Sequence, residues 1–436
     1  MKILYITPFQ HPALGGSTRC YHFVRELAQR HSITLLSLAR TEIPPQVLTD
    51  VSSYAEKVLA VSLYGARFAG DRFLSGLPLV GSRLKGTLRR RRAVRQMKNI
   101  FRDLLKREAY DVVLFHSRDI FAIIDGWNER PLVADICDAT CSRLWPGLRY
   151  APLMELPWRT LRYLEVKRID RKILRQTRHQ VFISRRDRDA MPGFSTQSRV
   201  VPNGIDLAYW ARKTESPDMN TIVFTGVMSY QPNADGALYL LKKILPRVRR
   251  FVPGLRVLLV GRDPSTALRE AARNTPNVHI TGYVEDVRPY LEEAAVFVAP
   301  LRYASGMQNK VLEALAMKIP VVTTPSVAAG LQVEGSGELP LLVADGEEKF
   351  AEHILYLLRN ETARLQLAHE GRQFVETHFD WSRSAAMLEE ICLEAAGLQP
   401  ARQQTAEGAS SSASKPGVTK DSWIGKPGAE SSVTDG

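Results

Sequence analysis

The 436-residue chain lacks any apolar run approaching the roughly 18 residues that a membrane-spanning helix requires. Cysteine is scarce: Cys20, Cys137, Cys141 and Cys392 are too few and too scattered for a disulfide framework. Cys137 and Cys141 lie four apart, but no second ligand pair accompanies them to make a zinc site, so ordinary reduced thiols are expected. That points to a cytosolic compartment. The opening Lys2-Ile-Leu-Tyr-Ile6 reads as a strand, not as a signal peptide with its basic and apolar regions. Repeats of solenoid length are missing too.

Acidic charge is in deficit, with 46 Asp/Glu against 59 Lys/Arg and a formal net charge of +13. The excess is regional. Ala66–Arg107 carries 13 basic and 2 acidic residues, and Glu155–Arg188 carries 11 and 4, so the rest of the chain is net negative. The basicity belongs to the first half. At 44% apolar, the chain can build large cores, and its length implies two or three domains.

Short apolar strands alternate with helical stretches. In the first half, Ile3–Ile6, Ile33–Leu38, Val112–Phe115, Leu132–Ile136 and Val181–Ser184 read as buried strands, and Ser17–Gln29 as a helix. In the second half, Ile222–Thr225, Val257–Val260, Val278–Thr281, Val296–Ala299 and Val321–Thr324 read as strands, each followed by Gly or Pro. Helices are expected at Asn233–Arg250, Ser265–Arg273, Val287–Glu293 and Asn309–Met317, then at Glu347–Thr377 and Ser382–Ala396. This alternation predicts two doubly wound α/β domains with parallel sheets, hinged near Asn203–Pro217. From Pro400 onward Ser, Gly, Ala, Thr, Lys and Pro dominate, a composition that cannot bury a core and reads as a disordered tail.

Open parallel sheets bind ligands where strand ends turn into helices. Three such places stand out. After the first strand, Gly15 and Gly16 precede a helix, which would let backbone approach an anion. A flexible turn with Ser17 as N-cap explains the same residues equally well. Gly226 ends the strand Ile222–Thr225. The strand Val296–Ala299 leads through Pro300 to a helix starting near Gly306–Gln308, whose free N–H groups suit a pyrophosphate. Glu313 lies about two turns in, where a carboxylate can accept both hydroxyls of a ribose. A capped amphipathic helix with an exposed Glu is the plainer alternative.

The segment Gly306-Met-Gln-Asn-Lys-Val-Leu-Glu313-Ala-Leu-Ala-Met-Lys-Ile-Pro-Val-Val322 resembles the nucleotide-sugar loop of glycosyltransferase family 4. The resemblance extends through Gly15-Gly16, Asp111-Val-Val-Leu-Phe-His116, Val201-Pro-Asn-Gly-Ile-Asp206, Val223-Phe-Thr-Gly226, Val260-Gly261 and Gly282-Tyr-Val-Glu-Asp-Val-Arg-Pro-Tyr290. Gln308-Asn309-Lys310 before Val-Leu-Glu is similar to the sugar transferases of exosortase-linked (PEP-CTERM) exopolysaccharide clusters. The resemblance implies a GT-B fold: an acceptor domain over 1–205, a nucleotide-sugar domain over 206–378, and a helix over 379–399 returning to the first domain, with 400–436 as the tail. It implies a retaining transferase that needs no metal or other cofactor and uses a nucleotide-diphosphate sugar as donor. The implied partners are a lipid-linked or other saccharide acceptor and, on the first domain, an anionic membrane surface at the inner face of the cytoplasmic membrane. It places Glu313 on the ribose, the backbone of Gly306, Met307 and Gln308 on sugar and phosphate, Gly16 against the diphosphate and His116 facing the reacting sugar. Gly15, Gly226, Ser305 and Asn309 complete the expected donor site.

Two departures matter. The family pairs two glutamates eight positions apart, and Ser305 occupies the first position, so the donor sugar is not readable there. The family also places Arg and Lys after the strand that ends here at Gly226, whereas Val227-Met-Ser-Tyr-Gln-Pro-Asn233 supplies neither. Another cation must then stabilise the leaving diphosphate: Lys310 first, Arg302 and Arg19 after it. Asp135 and Asp138 are expected at the cleft, with Asp138 orienting an acceptor hydroxyl or acting as base, or either serving as a turn residue. Asp187-Arg-Asp189 spells the metal motif of another glycosyltransferase fold, but in its basic setting it reads as surface charge and capping. Ala66–Arg107 interleaves cations with Phe68, Phe73, Leu74 and Leu88, suiting an anionic membrane or simply a solvated helix face. No RNA- or DNA-binding motif accompanies it, so nucleic acid is not expected. A sugar-nucleotide epimerase of the same fold and a catalytically silent binding protein remain as alternatives.

Overall fold

In the computed structural model, residues 1–15, 18–63, 80–191, 193–213 and 217–399 are described, with only the backbone given for 80–85. The tail from Pro400 lies outside the described residues, as do Gly16, Ser17 and the apolar residues Phe68, Phe73 and Leu74.

The first sheet is parallel and seven-stranded: β1 (Lys2–Pro8), β2 (Ser32–Ala39), β3 (Lys57–Ser62), β4 (Val112–His116), β5 (Leu132–Cys137), β6 (His179–Phe182) and β7 (Ser198–Val200). Their order in space is β3-β2-β1-β4-β5-β6-β7. The second sheet holds β8 (Asp218–Thr225), β9 (Arg256–Val260), β10 (Val278–Gly282), β11 (Ala294–Ala299), β12 (Val321–Thr323) and β13 (Leu342–Val343), ordered β10-β9-β8-β11-β12-β13. In each sheet the order reverses beside the first strand, between β1 and β4 and between β8 and β11. Those switch points are where a doubly wound sheet opens a crevice.

Central strands such as β4 and β11 are buried on both faces, which is why they read as unbroken apolar runs. Lys57–Ser62, Ser198–Val200 and Leu342–Val343 escape that pattern because they are edge strands, short or half-exposed. Glu347–Thr377 is two helices, not one. Asn360 ends the helix Glu347–Arg359 and caps Glu361–His378 by accepting from the Ala363 amide.

The last helix, Trp381–Ala396, sets Trp381, Ala385, Leu388 and Cys392 into the core of the first sheet. The chain thus crosses between the sheets twice. At the crossings the Ile205 amide donates to Phe379 O (2.9 Å). A Cβ on Gly204 would lie 2.4 Å from the Trp381 backbone nitrogen, so only glycine permits this approach.

Candidate functional site

The ends of β1, β4 and β5 meet at a buried ion cluster. Arg19, at the start of the helix Arg19–Leu27, is 1% exposed, and its guanidinium holds Asp135 through Nε (2.9 Å) and Nη2 (3.1 Å). His116, closing β4, places Nδ1 2.8 Å from the same carboxylate. Burial opposes ionisation of Asp135, but Arg19 and His116 outweigh it and hold the carboxyl well below its usual range. Burial likewise opposes imidazolium, yet Cys20 and Asp135 push His116 up to about 10. Asp135 thereby orients His116, as a second group fixes a working imidazole. Asp135 does not face the cleft as expected. It is fully enclosed, because Arg19 and His116 consume its oxygens.

The cluster continues toward the second domain. Arg19 Nη1 donates to Asn203 Oδ1 (2.9 Å), and Asn203 Nδ2 donates to Asn309 Oδ1 (2.8 Å) at the head of the helix Asn309–Ala316. Arg19 is thus withdrawn from the set of cations that could meet a diphosphate. Arg302 is also engaged, paired with Asp235 through Nε (2.9 Å) and stacked over Tyr150 at 3.9 Å.

The loop after β11 is fastened to the first domain. Ser305 Oγ donates to Asp138 Oδ2 (2.6 Å), the Gly306 amide donates to Asp187 Oδ1 (3.0 Å), and Arg186 Nη2 donates to Gly306 O (2.7 Å). Asp187 Oδ1 also accepts from the Ala139 amide (3.0 Å), and its other oxygen pairs with Ser184 Oγ. Gly306 has φ +65°, and a Cβ there would lie 3.2 Å from Asp138 Cβ. Glycine is needed for the turn and for the contact. This corrects the reading of Asp187 as surface charge: it is fully buried and spans the two domains, while Asp189 is exposed. Arg186 and Asn203 are site-building residues to which the sequence reading gave no role. Arg186 hides inside a run of charge, and only Asn203's place in Val201-Pro-Asn-Gly-Ile-Asp206 could have pointed to it.

Asp138 sits beside Arg118 (3.5 Å). Burial would raise its carboxyl, but Arg118 and the Ser305 hydrogen bond keep it below the ordinary value. An ionised carboxylate so held suits positioning more than proton abstraction.

Lys310 and Glu313 lie one turn apart on the helix Asn309–Ala316. Lys310 Nζ donates to Asn233 Oδ1 (2.5 Å), and Asn233 Nδ2 donates to Val227 O (2.9 Å). A Cβ on Gly226, whose φ is +151°, would lie 2.6 Å from Asn233 Nδ2 and 2.8 Å from Lys310 Nζ. The ammonium therefore rests against the strand end from which Arg and Lys are missing. Burial drives Lys310 down to about 7 against the pull of Glu313, and drives Glu313 up to about 7 against that of Lys310. Glu313 and Asn309 line a cavity of about 260 Å³ between the domains, with Pro12, Thr18, His22 and Asp206 among its other walls.

The expected residues thus fall into groups. Glu313 and Asn309 line the cavity, and Lys310 meets Gly226. Ser305, Gly306 and Asp138 form the latch, Gln308 donates to Ser305 O (3.0 Å), and Met307 is buried. Gly15 closes the turn Pro12–Leu14 at φ +67°, but Gly16 lies outside the described residues. His116 is in the ion cluster, not in the cavity wall.

Residues 219–360 match the family model described as Glycosyl transferases group 1. Over 127 residues the chain is 32% identical to the capsular polysaccharide biosynthesis glycosyltransferase CapM of Staphylococcus aureus, covering 28% of this chain and 33% of that one. Over 210 residues it is 26% identical to a phosphatidyl-myo-inositol mannosyltransferase of Mycolicibacterium smegmatis, covering 45% and 52%. The chain thus spans only a third to about half of the length of these relatives. Among solved structures, HepE of Anabaena, determined with UDP and glucose, superposes with a TM-score of 0.60 at 14% identity, over 89% of this chain and 98% of that one. Sucrose-phosphate synthase of Thermosynechococcus elongatus gives 0.63 at 16%, over 90% and 98%. The chain has the GT-B architecture of two Rossmann-like domains, and its second domain carries the Glycosyl transferases group 1 match.

Proposed function

We propose that this chain is a family 4-like glycosyltransferase that moves a sugar from a nucleotide-diphosphate sugar to a saccharide acceptor, lipid-linked, in the building of exopolysaccharide or other cell-surface glycan. The observation that carries the reading is the Lys310–Glu313 pair at the switch point of the second sheet. Glu313 faces the cavity, where it can take a ribose diol, and Lys310 stands at Gly226, where it can meet a diphosphate. The helix start at Asn309 adds its unpaired N–H groups to that charge. A role for His116 toward the sugar rests on the family resemblance alone, since Asp135 holds it behind the cavity wall. The partial likeness to a capsular polysaccharide glycosyltransferase supports the pathway class, and the neighbour that binds UDP and glucose supports the donor class. The family resemblance supports a retaining reaction without a bound metal, at the inner face of the cytoplasmic membrane, and the exosortase-linked setting.

The test is a thermal-shift screen of nucleotide sugars, repeated on Glu313→Ala. The expected result is stabilisation by one donor, reduced at least about tenfold in affinity by the substitution. Nucleotide should be released in step with glycan only when acceptor is added. Turnover of the donor without acceptor would favour the epimerase, and no donor binding at all would overturn the reading.

A further inference from the structure

The first domain carries an exposed apolar face with no partner among the described residues. Leu153 and Met154, in the turn before the helix Leu156–Gln176, are 83% and 96% exposed. Trp158 is 68% exposed, and Leu161 and Leu164 continue the same side of that helix. Trp145, 62% exposed on the preceding helix Thr140–Leu148, packs its ring against Tyr163 of the helix that carries Trp158 (5.2 Å). Single exposed apolar residues are ordinary, but six large ones gathered on one helical hairpin mark a binding surface.

The charge around this face selects its occupant. Past Glu165, itself exposed, the outer side of the helix becomes cationic, with Arg168, Arg171 and Arg175 and with Lys172 paired to Asp125 (3.0 Å). A second copy docking here would set this positive surface against its like. Tryptophan beside leucine and methionine, flanked by arginine, fits the boundary between acyl chains and anionic headgroups. Ala66–Arg107 does not compete in its described part. There Ala93, Met97, Phe101 and Leu104 turn into the core and leave arginines outside.

We propose that the Trp145–Leu164 face inserts into the headgroup layer of an anionic lipid bilayer, with the basic end of the same helix held by the lipid phosphates. The hairpin also abuts the second domain beside the donor loop. Tyr150 stacks on Tyr303 (5.7 Å), and Arg143 lies over Tyr230 (5.2 Å). A lipid-borne acceptor arriving on this surface reaches the cleft rim directly. That last step rests on the transferase reading, but the docking does not.

The test is flotation of the full chain with vesicles of phosphatidylcholine alone or mixed with phosphatidylglycerol. The protein should float with the anionic vesicles only. Leu153→Ser/Met154→Ser/Trp158→Ser should lower binding at least about tenfold, and Arg168→Gln/Arg171→Gln/Arg175→Gln should lower it and flatten its salt dependence. Leu365→Ser, 60% exposed on the second domain, should bind like the parent. Unchanged thermal unfolding and an unchanged nucleotide-sugar shift in solution separate loss of docking from loss of fold or donor site. Should the triple variant unfold, Met154→Ser alone must still show a partial loss. Equal flotation of the apolar variant, no binding by the parent, or a parent dimer that the apolar variant renders monomeric would each overturn the proposal.

Discussion

At the residue scale, the half-buried pair Lys310 and Glu313 sets a pH window for donor binding. Lys310 is lowered from 10.5 to about 7 by burial, so it loses its proton as pH rises through 7. Glu313 is raised from 4.5 to about 7 and gains a proton as pH falls through the same value. In the proposed donor complex a diphosphate would meet the charged lysine and a ribose the charged glutamate, so affinity should peak near pH 7. On the alkaline limb it should fall by about tenfold per pH unit, with proton uptake on binding. Calorimetry across pH 6–9 in two buffers of different ionisation enthalpy would check this. Lys310→Met should abolish the alkaline limb and weaken the donor by about thirtyfold, roughly 2 kcal/mol. A flat profile in the parent would exclude Lys310 as the diphosphate cation. Glu313 and Lys310 were legible in sequence because a helix fixes their spacing after a recognisable strand end. Asn233, which aims Lys310, was not, since a side-chain amide 77 positions away leaves no local pattern.

At the element scale, the loop between β11 and the helix Asn309–Ala316 is held by carboxylates from the other domain. Removing Asp187 strips two buried amides, Gly306 and Ala139, of their acceptor. Asp187→Ala should therefore cost about 2–4 kcal/mol in chemical denaturation, while Asp189→Ala, two residues on and exposed, should stay within about 0.5 kcal/mol. Equal effects would contradict the latch. Charge density misled the sequence reading here: Ser184-Arg-Arg-Asp-Arg-Asp189 is polar throughout, and polarity says nothing about which member turns inward. Buried central strands were readable because they are apolar on both faces. The edge strand β3 was not, because Val58-Leu-Ala-Val61 between Lys57 and Ser62 is an apolar run too short to tell a strand from a helix or loop by pattern.

At the scale of the whole molecule, the two crossings at Gly204–Ile205 and Phe379–Trp381 form a single joint. Gly204→Ala forces a Cβ against the Trp381 backbone and should cost about 1–3 kcal/mol in thermal or denaturant unfolding. Gly86→Ala, in a helix with open space around it, should be neutral or stabilising by up to about 1 kcal/mol. If both changes were neutral, the close approach at the joint would carry no strain. The two-domain plan was visible in the alternation of strands and helices. The joint was not, because it brings together residues about 175 positions apart.

The contact between Asp187 and Gly306 bears on the modularity of the molecule. The second domain's sequence looks like a self-contained cassette, one that could be exchanged to redirect donor choice. Yet the loop that would carry that choice takes three of its hydrogen-bond partners, Asp138, Arg186 and Asp187, from the first domain. A grafted cassette would arrive with its loop shaped for a different set of hands. If the proposed donor site is right, donor choice is a property of both halves and will not move with either alone.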